Sequence, residues 1–439
     1  MNNNNSFLIN LFQYLNQFEI KYCVLRNYRS LPQNTNGSDL DLWVSSNDIK
    51  KTINILNEVS KNVNCQIVSY IENKYSPKFC FQNPKEGVQI DLFYGHIYFQ
   101  NHIIFEEDVI KQNIKLYNNI SVLDDNLADL ISLIKEIINN GHCTPKYTQP
   151  IYQNISFYNK EYLNNNLLCF NNKFIESLYR FIQEKNIEKN TQLLQSKAKQ
   201  SLSIKVFFNK IKKIKRLFSR KPGYVIAILG TDGSGKSTII NKITPILNEG
   251  FHKGIIYNHL RPNVLPDIGV VLGKRKKAEE VTVVSNPHAE KQSGCIGSLI
   301  RWGYYMIDYT IGYLKTVFPV IHTKSKVFIF DRYYYDYYID PKRFKTSLPH
   351  WILKSGECFV PKPDLILCLG GDPEKIYSRK PETSLQEVTR QTNVLKKFCQ
   401  THKNAVWIDT CTDIETSTNQ TMEAICKMMS KRFSNFKFQ

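Results

Sequence analysis

The sequence predicts an α/β protein in three parts: a carboxyl-terminal region on a five-stranded parallel sheet, an amino-terminal α+β region, and a helical, basic connector between them. Three observations carry this. Residues 230–237 read Gly-Thr-Asp-Gly-Ser-Gly-Lys-Ser directly after the apolar run 224–229, a phosphate-binding loop with a strand before it and a helical pattern after it. Strand-like segments at 224–229, 254–258, 326–330, 364–369 and 405–408 leave room for helices between them, the alternation of a parallel sheet covered on both faces. Near the amino terminus, two strand-like runs at 39–44 and 88–93 carry Asp39, Asp41 and Asp91.

A length of 439 residues with 42% hydrophobic content supports two or three domains with real cores. Fifty-eight Lys and Arg against 39 Asp and Glu give a net charge of +19. That favours anionic partners: nucleotides, phosphorylated substrates, nucleic acid or an anionic membrane face. None of the eleven cysteines forms a C-x-x-C pair, so zinc spacing is missing and the thiols read as packing residues of a reducing cytosol. The start, Met1-Asn2-Asn3-Asn4-Asn5, lacks the pattern of a signal peptide. The apolar stretch 296–320 is interrupted by Arg301, Asp308 and Lys315, where a bilayer helix needs ~20 mostly apolar residues. It reads as a buried helix, and the chain as cytoplasmic.

Boundaries fall at 1–145, 146–221 and 222–439, the last opened by the helix-breaking Lys221-Pro222-Gly223. In the loop, Gly230, Gly233 and Gly235 permit backbone angles closed to other residues and bring N–H groups against phosphate oxygens. Gly230, Thr231, Gly233, Ser234, Gly235, Lys236, Ser237 and Thr238 are the expected ATP site. Lys236 reaches the β- and γ-phosphates, and Ser237 ligates Mg²⁺.

Ligands of such sheets sit at the carboxyl ends of the strands. There the chain places His259-Leu260-Arg261-Pro262, Asp331-Arg332-Tyr333, and a helix ending in Ser378-Arg379-Lys380. Asp331 could hold Mg²⁺ through water or accept a proton from an attacking oxygen. Arg332 could clamp the phosphate or oxyanion of a small-molecule acceptor. Arg379-Lys380-Pro381-Glu382, with Arg390 further on, could close over a transferring phosphoryl group, whose transfer depends chiefly on positioning and charge.

On these residues, 222–435 resembles the thymidylate kinase branch of the P-loop kinases. The likeness rests on 230–238, Arg261-Pro262, Asp331-Arg332-Tyr333 and Pro363-Asp364-Leu365 leading to Asp372-Pro373-Glu374. It implies acceptor contacts from Asp232, Arg261 and Arg332, metal and acceptor handling by Asp331, and lid cations at Arg379 and Lys380. A less defined thymidylate kinase-like subgroup, some of whose members lie near surface-polysaccharide genes, is closer through His259-Leu260-Arg261-Pro262, Pro287-His288, the stretch from Asp331 to Asp340 and Arg379-Lys380-Pro381-Glu382. Between about 262 and 325 the chain departs from thymidylate kinases proper with a longer insertion. The acceptor is therefore a nucleoside monophosphate by default and a sugar or lipid-linked glycan precursor as competitor.

Tyr333, Tyr334, Tyr335, Tyr337 and Tyr338 read either as a stacking wall for a base or sugar or as packing beneath the lid. Arg301, Tyr304, Tyr305 and Asp308 share helical spacing and read either as acceptor-pocket lining or as a structural ion pair. His259 and His288 are taken as ordinary hydrogen-bonded histidines.

In the first region, strand alternation puts Asp39 and Asp41 on one face, and Asp91 on a second strand completes a set able to hold one or two Mg²⁺ ions. Gly37-Ser38-Asp39-Leu40-Asp41 and Ile90-Asp91-Leu92, over about 6–140, resemble the polymerase-β-type nucleotidyltransferases, which implies metal ligation by the three acids. The segment after the first strand, Val24-Leu25-Arg26-Asn27-Tyr28, is not the family's Gly-Ser, and Arg26 could bind phosphate instead.

In the connector, Ile204, Phe207, Phe208, Ile211, Ile214, Leu217 and Phe218 recur every three or four residues among seven basic residues. Such a helix fits either an anionic membrane surface or a buried interdomain face. The overall reading is an ATP- and Mg²⁺-dependent phosphotransferase, with a homodimer compatible with the pattern. Its rivals are a nucleotidyltransferase using Asp39, Asp41 and Asp91 with the loop domain as sensor, and a basic nucleic-acid-binding protein, against which stands the lack of any known nucleic-acid motif.

Overall fold

The computed structural model describes residues 6–202, 220–266, 268 and 294–434. The first part runs α1 (Phe7–Gln17), β1 (Tyr22–Val24), β2 (Leu40–Val44), α2 (Ile49–Asn62), β3 (Gln66–Ile71), β4 (Lys78–Gln82), β5 (Gly87–Tyr94), β6 (Ile97–Phe99), β7 (His102–Phe105), α3 (Glu107–Gln112), β8 (Ile114–Tyr117), β9 (Ile120–Leu123) and α4 (Asp125–Asn140). Seven of these strands form a mixed sheet in the order β3-β4-β5-β2-β1-β9-β8. Strand alternation splits its side chains between two cores. Val24, Leu42 and Leu92 pack under α1 and α2, while Cys23 and Trp43 pack under α4. The Asp124 side chain caps the start of α4 by accepting from Asn126 and Leu127, and Gly141 ends it at φ +67°.

The stretch read as a connector supplies α5 (Pro145–Gln153), α6 (Lys160–Asn166), α7 (Asn172–Gln183) and α8 (Ile187–Ser201). These share one core with α4 through Ile151, Leu163, Phe174, Leu178 and Leu194, so a boundary at 145 cuts through packed residues. The polar composition misled because several asparagines are helix caps: Asn159 accepts from Tyr162 N and Asn171 from Phe174 N. The basic repeat from Ile204 to Phe218 lies outside the described residues.

The second part runs β10 (Tyr224–Gly230), α9 (Lys236–Phe251), β11 (Ile255–His259), α10 (Cys295–Ile307), a π-helical turn (Asp308–Gly312), α11 (Tyr313–Thr316), α12 (Phe318–Thr323), β12 (Val327–Asp331), α13 (Asp336–Ile339), α14 (His350–Ser355), β13 (Leu365–Gly370), α15 (Pro373–Arg379), α16 (Leu385–Thr401), β14 (Ala405–Asp409) and α17 (Ile414–Phe433). The five expected strands form one parallel sheet, ordered β11-β12-β10-β13-β14. β10 is central and buried at every position, which sets its loop at the middle of the sheet's carboxyl edge. The stretch 296–320 is helical but only half buried. Tyr305, Met306, Tyr309 and Tyr313 enter the core, whereas Ile296, Ile300, Ile307, Ile311 and Leu314 are exposed. Apolar residues on both sides hid which face was covered. Among the described residues, no helix is long and apolar enough to cross a membrane.

The two sheets share a core. Val68 and Cys80 pack with Tyr224, Ile243, Leu247 and Met422. The Tyr224 hydroxyl bonds Val68 O and, at 3.1 Å, Met429 O. Ser69 Oγ donates to Pro222 O at 2.8 Å. At the far end of α9, Gly87 N donates to Glu249 at 3.1 Å, and His252 Nδ1 lies 3.0 Å from Gly37 O.

Candidate active site

The loop between β10 and α9 needs glycine at two positions for plain geometric reasons. Gly233 has φ +82°, and a Cβ there would stand 2.5 Å from Ile376 O. Gly235, at φ +80°, is the N-cap of α9. The first helical residue, Lys236, turns its buried ammonium back onto the loop, donating to Gly230 O and Thr231 O at 3.0 Å each. Burial, reinforced by the nearby Arg332 charge, pulls its pKa down to about 8. Thr231 Oγ1 and Ser234 Oγ are buried without a hydrogen-bond partner among the described residues, a state that buried polar atoms rarely occupy. Ser237 and Thr238 are exposed on the first turn.

The end of β12 lies beside the loop. Asp331 Oδ2 accepts from the Tyr257 hydroxyl at 3.2 Å and stands 3.9 Å from His259 Nδ1. Burial lowers the His259 pKa, against the opposing pull of Asp331. Asp331 Oδ1 is buried with no donor among the described residues, and an acceptor-only oxygen in that state fits a divalent cation. Arg332 takes φ +70°, a conformation unusual for a side-chain-bearing residue. Its guanidinium donates to Asp232 at 2.6 Å, reaches Gly230 O at 3.4 Å and lies 3.7 Å from Asp336. Asp232 also pairs with Arg343, which in turn lies 3.3 Å from Asp340. Burial alone would raise the Asp232 pKa; the Arg332 and Arg343 guanidiniums outweigh it and hold the pKa at about 2. Asp336 is fully buried, and desolvation pushes its pKa up to about 6 against the pull of Arg332.

Asp232, Lys236, Asp331 and Arg332 therefore come together as the sequence led us to expect. Arg343 belongs to the same network and was not singled out, and Asp336 and Asp340, within the 331–340 stretch, were given no role of their own. Their signal was present: 332, 336, 340 and 343 follow helical spacing directly after the Asp-Arg pair. Arg379 and Lys380 are exposed at the end of α15. Lys380 pairs with Glu382 at 2.9 Å, and its Cβ lies 3.3 Å from where a Cβ on Gly233 would stand, beside the loop.

Arg261 is engaged elsewhere. It donates to Asp308 at 2.6 Å and Leu265 O at 2.7 Å and lies over the Tyr305 ring. Asp308 also accepts from the backbone of Asn263, Val264 and Leu265. Arg261 Nη1 is thus committed to a buried pair with Asp308. Arg301 and Tyr304 bond Phe344 O and Pro266 O. Tyr333, Tyr334, Tyr335, Tyr337 and Tyr338 are all buried in one core with Tyr309 and Phe398, so they pack rather than form a wall. Pro287 and His288 lie outside the described residues.

A second cluster sits in the first sheet. Parallel pairing of β2 with β5 sets Asp41 opposite Asp91, Asp39 immediately precedes β2, and carboxylate oxygens of all three lie within 4.8 Å of one another. That donor set fits a divalent ion. Arg26 pairs with Asp41 and lies 3.8 Å from Asp39, and Lys78 pairs with Asp91. Arg26 thus meets the acids rather than an open phosphate site. Burial raises the Asp91 pKa, opposed by Lys78. From α4, Lys135 stands 4.1 Å above the Phe93 ring, with its pKa lowered by burial.

No protein-family model matches this chain, and no curated protein matches it. Among solved structures, the chain is similar to the thymidylate kinase of Ehrlichia chaffeensis, with 17% identity and a TM-score of 0.32, over 46% of this chain and 97% of that one.

Proposed function

We propose that the chain is an ATP- and Mg²⁺-dependent phosphotransferase of the nucleoside-monophosphate-kinase type. It moves a γ-phosphoryl group to a small acceptor, a nucleoside monophosphate or a glycan precursor. One observation carries the reading: a glycine-built loop with a buried ammonium lies beside a strand end bearing Asp331 and Arg332, with Asp232 of the loop bonded to Arg332. Loop amides and Lys236 hold a polyphosphate, Lys236 exchanging its two carbonyl acceptors for phosphate oxygens. Ser237 and Asp331 would hold the magnesium ion, which supplies charge neutralisation to the phosphates. Asp232 and Arg332 orient the acceptor, and Arg379 and Lys380 add positive charge from the solvent side. The alternative role for Asp331 is to take a proton from an acceptor hydroxyl.

The geometry of Asp39, Asp41 and Asp91 supports a second reading, nucleotidyl transfer at that cluster with the loop domain as a nucleotide sensor. ATP consumption measured against nucleoside monophosphates, sugars and lipid-linked sugars tests both. Under the first reading, K236A abolishes turnover and D39A spares it; the reverse outcome moves the chemistry to the first sheet.

A further inference from the structure

We propose that Cys368 and Cys399 form a paired-thiol modification site, which a low-molecular-weight disulfide oxidises to a covalent bond between β13 and α16. Two periodicities bring the sulfurs together. Along β13, strand alternation turns Ile366 and Cys368 to one face and Leu365, Leu367 and Leu369 to the other. Along α16, Leu395 and Cys399 lie one turn apart, and Leu395, Phe398 and Cys399 pack in the core that holds Cys368. The two thiols share a hydrogen bond. Cys368 is fully buried, whereas Cys399 is half-buried and so reachable from solvent.

The pair differs from the other core thiols. Burial pushes the thiols of Cys23, Cys65 and Cys80 up, which leaves them inert. Cys399 goes the other way: its hydrogen bond with Cys368 outweighs burial and lowers its pKa, while the same bond and burial push Cys368 up. A reachable thiol held down by a second, buried thiol is placed to attack, and its neighbour to resolve. The Cys399 thiolate attacks one sulfur of the reagent, forming a mixed disulfide and expelling the other half as a thiolate. Cys368 gives up its proton and attacks Cys399 Sγ, expelling the second half. The pair loses two electrons and two protons, and the reagent leaves as two thiols. Cys368 stands opposite Leu229, the residue before Gly230, so the bond ties α16 to the strand beside the phosphate loop. The site is independent of the proposed chemistry.

The test incubates the folded full-length chain with oxidised glutathione, then alkylates and digests it. The expected product is a peptide pair joined through Cys368 and Cys399, lost again on reduction. Cys295 and Cys358 are exposed and take up glutathione as separate adducts, so peptide mapping rather than total mass is the readout. C368A should stop at glutathione on Cys399, and C399S should slow loss of the Cys368 thiol by at least about tenfold. The oxidised native chain should melt at a higher temperature than the reduced one, as a cross-link that fits the fold requires. Adducts at Cys295 and Cys358 without the joined peptide overturn the proposal. So does a joined peptide that forms only in denaturant, or one whose formation lowers the melting temperature. These three outcomes need only the native chain, whatever the stability of the variants.

Discussion

Asp232 and Arg332 are one hundred residues apart in sequence and 2.6 Å apart in space. The carboxylate comes from the loop after the central strand, and the guanidinium from the end of its neighbour. Arg332 keeps its left-handed backbone because its N–H donates to Ile228 O at 2.9 Å and its fork is held between Asp232 and Asp336. Strain at a strand end, fixed by a buried ion network, is the kind of arrangement that functional sites retain.

Truncating that arginine should therefore cost both stability and turnover. R332A leaves the fully buried Asp336 without its adjacent guanidinium, a loss of about 3–5 kcal/mol, read by chemical denaturation. Turnover should fall by at least about a hundredfold, while ATP affinity by calorimetry stays within a few fold. R332K should restore part of the stability and little of the rate, because an ammonium cannot reproduce the fork.

Lys236 predicts a pH dependence with a definite sign. Under the proposed function the charged ammonium binds phosphate, and burial pulls its pKa down to about 8. Above that pH, nucleotide binding must take up a proton. Affinity for a non-hydrolysable ATP analogue should be level at about pH 6.5–7.5 and fall by up to about tenfold per unit at higher pH. K236R, which stays charged, should give a level profile. A native profile that is flat to about pH 9.5 would contradict the buried-ammonium picture.

Two neighbouring glycines should respond unequally. G233A meets both a left-handed backbone and the Ile376 carbonyl, for a cost of about 1–3 kcal/mol and a loss of nucleotide binding of more than about tenfold. G235A meets only the backbone penalty, with open space around its Cβ, and should cost about 1–2 kcal/mol. Melting curves and fluorescent-nucleotide titration separate the two.

At the domain junction, Y224F removes the one hydroxyl that bonds both Val68 O and Met429 O. Two buried carbonyls lose a donor, at about 1–3 kcal/mol. Urea unfolding should show the loss in both domains together, and an effect confined to the second sheet would count against a shared core.

Much of this was legible in sequence because it is local. The five parallel strands are short β-branched and aromatic runs between helical spacings, and the loop motif fixes the identity of the strand before it. Asp41 and Asp91 were legible because strand periodicity sets a face, and parallel register brought them opposite each other. What was missed depends on contacts across the fold. Arg261 looked like a substrate ligand until Asp308, 47 residues away, claimed it. Arg343 sits in a loop whose only sequence cue is its spacing from Asp336 and Asp340. The tyrosine run is equally rich in aromatics whether it faces a ligand or a core, and only burial decides. The asparagine-rich stretch reads as a helical connector, and what composition did not show is that its helices bury a core with α4.

The helix behind the phosphate loop is anchored at its other end. Glu249 receives Gly87 N, and His252 touches Gly37 O, two residues before Asp39. A rod pinned against the first sheet resists swinging at its tip, so under the proposed function Lys236 and its amides form the fixed jaw. Under the proposed function, any travel that encloses the nucleotide falls to the solvent side of the loop, where α15, already packed against Gly233, ends in the exposed Arg379 and Lys380.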